Sequence, residues 1–400
     1  MQKGEKMDTK AFKTKTEFYN RDNGQLSGVW LVALDVGYSA VKLFAPNKVG
    51  IFPSYAQPYT NCGTIGQLSN DFITYTDLDT NETWLVGSAA QQEAASDNTS
   101  DTDAALFGRQ RYFDPMFKVL TRVGLGIALM PNKYGERGTK KICVQTGLPP
   151  KYKDDAVYMR EVISGHHHFS IKIGNGQPQS FDFDIAPENV YMTLQPLGTL
   201  HSISTSNDHK YVANAKDYLG KNIIIFDAGF GTFDLFFVKN HRIVDDGCTF
   251  ANLGMKRVFM QTADMLRALP ESERVNITLT GMQKCLEDGY AKKFDRTTFS
   301  TKEIKFDQYL EKAVRDVCEE AIKTMVKVYP IQDANYLVIT GGTGAAWSNI
   351  IRERLKGMQS LHILDGNQND VTLPFVFANV RGYYMDRYTR IAHELLSQKE

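Results

Sequence analysis

Behind a polar, lysine-rich opening through residue 27, β-branched and aromatic residues gather in short blocks between glycine and proline. "VWLVALDV" and "AVKLFAP" read as two strands around a tight turn, and "VGIFPSYA" continues the sheet. "DFITYTDLDTNETWLVG" reads as a further strand pair, a small β insertion. The period changes at "PMFKVLTRVGLGIALM", where Phe117, Leu120, Val123 and Ile127 recur at helical spacing. "KICVQTGLP" predicts a strand ended by Gly147 and Pro149, and "HFSIKIGNGQPQSFDFDI" a hairpin around Gly-Asn-Gly. "ENVYMTLQPLGTLHSI" predicts a strand that runs into a helix.

At Lys221 the same program restarts: a strand "NIIIFDAG", a turn, a strand "TFDLFFVK", the turn "NHR" with a third strand, then the helix "GMKRVFMQTADMLRAL". A long helix around "FDQYLEKAVRDVCEEAIKTMVKVY" follows, then a buried strand "NYLVIT", a glycine turn "GGTG" and the helix "AAWSNIIRERLKG". Element order repeating at a half-chain offset predicts an α/β duplication rather than a solenoid. The expected parts are a polar extension over 1–27, poorly ordered unless something docks on it, with structure beginning at Gly28, and two domains. The first covers 28–200 plus 375–400, with its β insertion around 50–105. The second covers 201–374, with a helical insertion around 255–325.

Composition narrows the function classes. Four hundred residues are long for one hydrophobic core. Lys plus Arg and Asp plus Glu number 46 each, so net charge gives no reason to expect direct contact with nucleic acid or an anionic membrane. Cys62, Cys143, Cys248, Cys285 and Cys318 are scattered, without the close pairs of a zinc site or disulfide framework, which fits a reducing cytoplasm. Neither a signal peptide nor a membrane span is expected, because the most apolar stretch, 29–45, is interrupted by Asp35 and Lys42.

The chemistry sits in a doubled turn. "LDVGYSAVKLF" (34–44) aligns with "FDAGFGTFDLF" (226–236), placing Asp35 on Asp227, Gly37 on Gly229, Tyr38 on Phe230 and Leu43 on Leu235. Glycine at such a bend lets backbone N–H groups point inward together and removes the Cβ that would hold a phosphate away. Two such turns facing each other can hold a polyphosphate. Asp35 and Asp227, ending their first strands, cannot bind that anion but can orient Mg²⁺ or its waters. Lys42, where the other copy has Asp234, can supply positive charge. A lone copy is an ordinary hairpin turn; two, at the heads of similar halves, are hard to explain that way. "VITGGTGAAW" adds a strand, bend and helix start that offers amides to an anion or a flat surface to a base.

These three motifs in this order resemble the phosphate-1, phosphate-2 and adenosine motifs of the actin superfamily, over about residues 30–388. With "TGLPPKYK" and "FANVRGYYM", the likeness is to bacterial actin-like proteins of the ParM plasmid-segregation type. The resemblance implies a duplicated, ribonuclease H-like α/β fold of two lobes with a nucleotide, ATP or GTP, and Mg²⁺ between them. It further implies a Mg-dependent nucleoside triphosphatase coupled to polymerisation into homopolymeric filaments, with a DNA-binding adaptor of the ParR type. Carried over by position, Asp35 and Asp227 attend the metal. Gly37, Tyr38, Ser39, Lys42, Gly229, Phe230, Gly231 and Thr232 hold the phosphates, and Gly341, Gly342 and Thr343 line the base and sugar. Gln195 falls where actins carry a water-orienting glutamine and ParM-type proteins a glutamate, with Glu188 as a fallback. Phe230 stands where eukaryotic actins have Asp, leaving only its backbone to serve a phosphate.

Alternatives are a small-molecule kinase of the same superfamily, against which a glutamine rather than an acid at 195 speaks, and a bacterial or phage cytoskeletal actin-like protein without a plasmid role. A nucleotide-bound structural or adaptor actin that does not hydrolyse is a third. His166 to His168 in one strand point to alternate faces and lack a completing ligand set, so no metal is expected there. Gln195 has a competing reading as a helix cap. Tyr383 and Tyr384 are expected to pack the last helix on the first domain, and "SDNTSDTD" (96–103) to be solvated surface.

Overall fold

The computed structural model describes residues 7–60, 68–69, 71–93, 109–251 and 253–398. The stretch 96–103 and Cys62 lie outside the described residues.

Two six-stranded sheets are built to one plan. In the first, β2 (Val29–Val36) runs antiparallel to β3 (Ala40–Ala45), β3 to β4 (Lys48–Pro53), and β4 to β1 (Glu17–Asn20). On its other side β2 pairs in parallel with β5 (Lys141–Leu148), and β5 with β6 (Val190–Leu194). In the second, β7 (Ile223–Ala228) runs antiparallel to β8 (Thr232–Lys239) and parallel to β9 (Tyr336–Thr340), which continues to β10 (His362–Asp365). Strands Arg242–Ile243 and Cys248–Ala251 both pair with β8, so the third strand expected after "NHR" is two short pieces. A hairpin followed by two parallel strands thus occurs twice, as the restart at Lys221 predicts.

The central strands are predominantly apolar because both faces are covered, with polar residues such as Asp35 and Asp227 towards the ends that meet the site. Trp30, Val32 and Leu34 pack on helix α1 (Pro115–Leu129), while Leu31 and Ala33 meet Val380, Tyr383 and Tyr384 of α6 (Ala378–Ser397). Asp114 caps α1, its carboxylate accepting from the Met116 N–H, with Pro115 in the first helical position. In the second half Ile224, Phe226 and Ala228 face α3 (Met255–Arg267), α4 (Asp307–Val328) and α5 (Gly342–Leu355). Ile223 and Ile225 face Leu200 and Ile203 of α2 (Gln195–Ser204). Each fully buried Leu, Ile or Phe contributes roughly 1.5–3 kcal/mol. Helices α2 and α6 lie between the sheets and touch each other at Gly198 and Gly382.

Three expectations change. The β insertion does not stand alone: Ile73–Asp77, Thr83–Val86 and Ala56–Pro58 join the hairpin Gly165–Ile173 and Gln179–Ile185 in one five-stranded sheet. The region around 255–325 is not only helical, since Tyr290–Asp295 pairs with Ser300–Lys305. Within the extension, residues 7–20 are docked, so structure begins well before Gly28. Met7 and Phe12 pack on the second core, the Thr9 hydroxyl donates to Leu286 O, and β1 forms the edge of the first sheet.

Candidate functional site

The duplicated hairpins stand in equivalent registers. Asp35 lies opposite Lys42 across β2 and β3, and Asp227 opposite Asp234 across β7 and β8. In each turn the first glycine closes the bend: the Gly37 N–H donates to Ala40 O at 3.0 Å and the Gly229 N–H to Thr232 O at 2.9 Å. The amides of these two glycines are thus committed within their own turns, and a Cβ would crowd the bend, falling 2.9 Å from Ala40 O at Gly37 and 3.2 Å from Thr232 O at Gly229. The two turns meet, because the Tyr38 ring fills the place a Gly231 Cβ would occupy, 2.9 Å from its Cδ2.

Between them lies a cavity of about 380 Å³. Asp35, Gly37, Tyr38, Ser39, Lys42, Gln195, Asp227, Gly229, Phe230, Thr232, Gly341, Gly342 and Thr343 all line it. Of the residues expected in the site, Gly231 does not line it and instead lies against the Tyr38 ring. Glu188 is exposed in the turn Pro187–Asn189, at the far end of β6 from Gln195, and does not line the cavity. Gln195 is not the cap of its helix: Leu194 holds that position, and no side chain caps it.

The third motif is joined to the second. Helix α5 begins at Gly342, three residues earlier than a turn "GGTG" followed by a helix from Ala345 would place it, with Gly341 at φ +81° as the cap residue. A Cβ there would sit 2.8 Å from Asp227 Oδ1, a position and a conformation that only glycine accepts comfortably. The Thr343 hydroxyl donates to Gly229 O at 2.6 Å, and at the start of α3 the Lys256 N–H donates to Phe230 O at 2.9 Å.

Three carboxylates crowd the floor. Lys42 Nζ bonds Asp35 Oδ2 at 2.6 Å. Burial pushes the Asp227 carboxyl up to about 6, against the Asn379 amide that donates to it at 2.7 Å and the nearby Lys42. Asp234 goes further, to about 8, because it is buried beside Asp227. Asp234 Oδ2 accepts from the Thr232 hydroxyl, while its Oδ1 is buried without a hydrogen-bond partner. The Thr199 hydroxyl donates to Asn379 Oδ1 at 2.6 Å and lies 3.1 Å from Thr340 Oγ1, so α2, α6 and β9 converge on Asp227.

Sequence reasoning passed over Asp234, Asn379 and Arg111 as site members. Asp234 was visible as the counterpart of Lys42; Asn379 lay inside "FANVRGYYM"; Arg111 carried no local signal. It also passed over residues 10–15, which wall the cavity from the extension. Lys10 and Lys13 pair with Glu287 of the second half at 3.4 and 3.1 Å, and Thr16 bonds Ser88 of the first, so the segment bridges both halves. Glu17 follows in register with Ile51, Lys42 and Asp35 across β1, β4, β3 and β2.

His166 to His168 divide as alternation requires. His167 is buried, stacked on Phe183, and burial lowers it to about 4; His166 faces Asp182 and Asp184, and His168 faces Asp79. Among the described residues no three His, Cys, Asp or Glu side chains converge to hold a metal, and no helix is long and apolar enough to cross a membrane. Tyr383 and Tyr384 are buried against the first sheet, as expected.

Residues 33–198 match the family model described as the N-terminal domain of actin like proteins. No curated protein matches the chain. Among solved structures, a non-polymerisable quadruple mutant of pCBH ParM superposes with TM-score 0.66 at 20% identity, covering 90% of this chain and 99% of that one. ParM from a 15-stranded filament from Clostridium botulinum gives 0.64 at 19% identity, with 90% and 99% covered. Ta0583, an archaeal actin homolog in complex with ADP, gives 0.58 at 14% identity, again with 90% and 99% covered.

Proposed function

We propose that this chain, whose residues 33–198 match the N-terminal domain of actin like proteins, is an actin-like, Mg-dependent ATPase or GTPase that forms filaments and segregates plasmid DNA through a DNA-binding adaptor. The observation that carries the proposal is that two equivalent glycine turns, one from each half, meet in one cavity above three buried carboxylates. The residues suit a polyphosphate with a hydrated divalent ion. Asp234 Oδ1 is an orphaned buried acceptor, Asp227 and Asp234 are held above the usual carboxylate range by burial, and a neighbouring cation would relieve both. With no three ligands convergent among the described residues, the acids would act on the ion's waters.

When bound, Mg²⁺ supplies charge neutralisation at the terminal phosphates. The backbone at Tyr38, Ser39, Phe230 and Thr232 cradles those phosphates, and Lys42 adds charge while fixing Asp35. Gln195 accepts and donates, so it orients water without acting as a strong base; hydrolysis is accordingly slow. Asn379, steadied by Thr199, fixes the Asp227 carboxylate. Gly341, Gly342 and Thr343 offer the flat wall for base and sugar. Pushing and holding fall to the polymer, as the filament and ADP complexes of the similar structures suggest for this fold, and the balanced net charge leaves DNA to the adaptor.

The test mixes purified protein with Mg²⁺-ATP or Mg²⁺-GTP and follows light scattering and phosphate release together, for the wild type and Asp227→Ala. Scattering that rises and then decays as phosphate appears, and is lost in the variant, is the expected result. Pelleted polymer should bring down no plasmid DNA unaided. Turnover without scattering, and only with an added sugar or other acceptor, would refute the proposal.

A further inference from the structure

Arg111 stands in the 3-10 turn Arg109–Phe113, remote in sequence from both hairpins, yet it lines the cavity beside the first. Its Nη2 donates to Val36 O at 2.8 Å and to Gly37 O at 3.2 Å, the two carbonyls that lead into the phosphate-1 turn. The guanidinium lies between two rings, 4.7 Å from the centre of Tyr38 and 4.5 Å from that of Phe117. Arg111 is only 7% exposed, and its Nε is buried without a hydrogen-bond partner.

Among the described residues no carboxylate pairs with Arg111. The neighbouring cations are committed, Lys42 to Asp35 and Lys10 and Lys13 to Glu287. A buried cation without a matched acid is unfavourable. Two carbonyl dipoles and two ring faces offset part of that cost. An anion seated in the cavity would offset the remainder, and the planar guanidinium fork suits phosphate oxygens better than a point charge does. The stacking on Tyr38 also ties the arginine to the second turn, because the same ring rests on Gly231.

We propose that Arg111 binds the terminal phosphate of the nucleotide and sets the preference for triphosphate over diphosphate. This rests on the nucleotide-binding reading above. The experiment measures affinities of fluorescent (mant) ATP, ADP, GTP and GDP, and of unlabelled adenosine and guanosine by competition. The proteins are the wild type, Arg111→Gln, Arg111→Lys and, as a control for a lost surface cation, Arg267→Gln. Circular dichroism confirms that each is folded.

The expected result is a loss of tenfold or more in triphosphate affinity for Arg111→Gln, a smaller loss for diphosphate and none for the nucleoside, with a shallower salt dependence. Arg111→Lys, which keeps the charge and loses the fork, should recover part of the loss. Triphosphate affinity unchanged in Arg111→Gln, while the wild type binds normally, overturns this inference alone. Equal losses for triphosphate and nucleoside also overturn it, because they assign Arg111 to holding the turn in shape. A wild type that binds no nucleotide overturns the nucleotide-binding reading itself.

Discussion

Replacing Gly382 by alanine tests the joint on which the two halves meet. A Cβ built there would lie 2.5 Å from the Gly198 carbonyl carbon and 2.9 Å from its Cα, and closer still to its oxygen. Carbon atoms settle at about 3.5–4.0 Å, so α2 and α6 would have to part by about 1 Å or more. Neither can give way cheaply. The obstruction is backbone, and each helix is pressed on a different sheet through Leu200 and Ile203 or through Tyr383 and Tyr384. Overpacking costs about 1–3 kcal/mol, sometimes more, and a backbone clash belongs at the upper end. Alanine's better helix propensity returns about 1 kcal/mol. The net loss is therefore about 2 kcal/mol, which lowers the Tm by roughly 4–8 °C for lobes of this size. Asn379 lies one turn before Gly382 on α6, so its bond to Asp227 should lengthen and nucleotide affinity fall with stability. Thermal melts of the wild type, Gly382→Ala and Gly357→Ala check this, since a Cβ on Gly357 meets nothing within 4 Å. If Gly382→Ala melts within a degree of the wild type, the close helix crossing is not the joint argued here.

Two further outcomes follow from the cavity floor and its cover. Asp234, raised to about 8 from an unfolded value near 3.8, keeps a proton in the fold that the unfolded chain releases. Its penalty is absent below pH 4, and stability falls as pH rises from about 4 to about 8, by at most about 1.4 kcal/mol per pH unit for one proton. Nucleotide-free Asp234→Asn should show a flatter stability profile across that window in urea melts at pH 5 and pH 8; parallel profiles would contradict the assignment. Glu287→Lys replaces the acid that holds Lys10 and Lys13, freeing the segment over the cavity, and deletion of residues 1–14 removes it. Both should speed release of a fluorescent nucleotide several-fold in a chase experiment, the deletion more than the substitution, and unchanged release would show that this segment does not retain the ligand.

The hairpins were legible because their chemistry is local: an apolar strand, an acid, a glycine bend and a second strand, written twice in eleven residues. The parallel strands that follow were legible for the same reason, since a strand covered on both faces reads as a mostly apolar run, as in "YLVIT". What escaped depends on distance along the chain. The extension is polar and lysine-rich, which in isolation reads as unfolded chain. Residues 9–20 of it are placed because Glu287, Leu286 and the edge of β4, hundreds or tens of residues away, supply their partners. Arg111 escaped because a 3-10 turn has no periodicity, and nothing near it in sequence states that its guanidinium will rest on Tyr38. Asp234 shows the intermediate case. Its alignment with Lys42 was plain, but in the first copy the cross-strand partner of the acid is a base and in the second it is another acid. The sign of that difference turns one half of the cavity floor into a matched ion pair and the other into a pair of carboxyls short of positive charge. That asymmetry leaves the two halves of a duplicated floor with opposite needs: the first has its charge balanced within the fold, and the second would gain from a neighbouring cation.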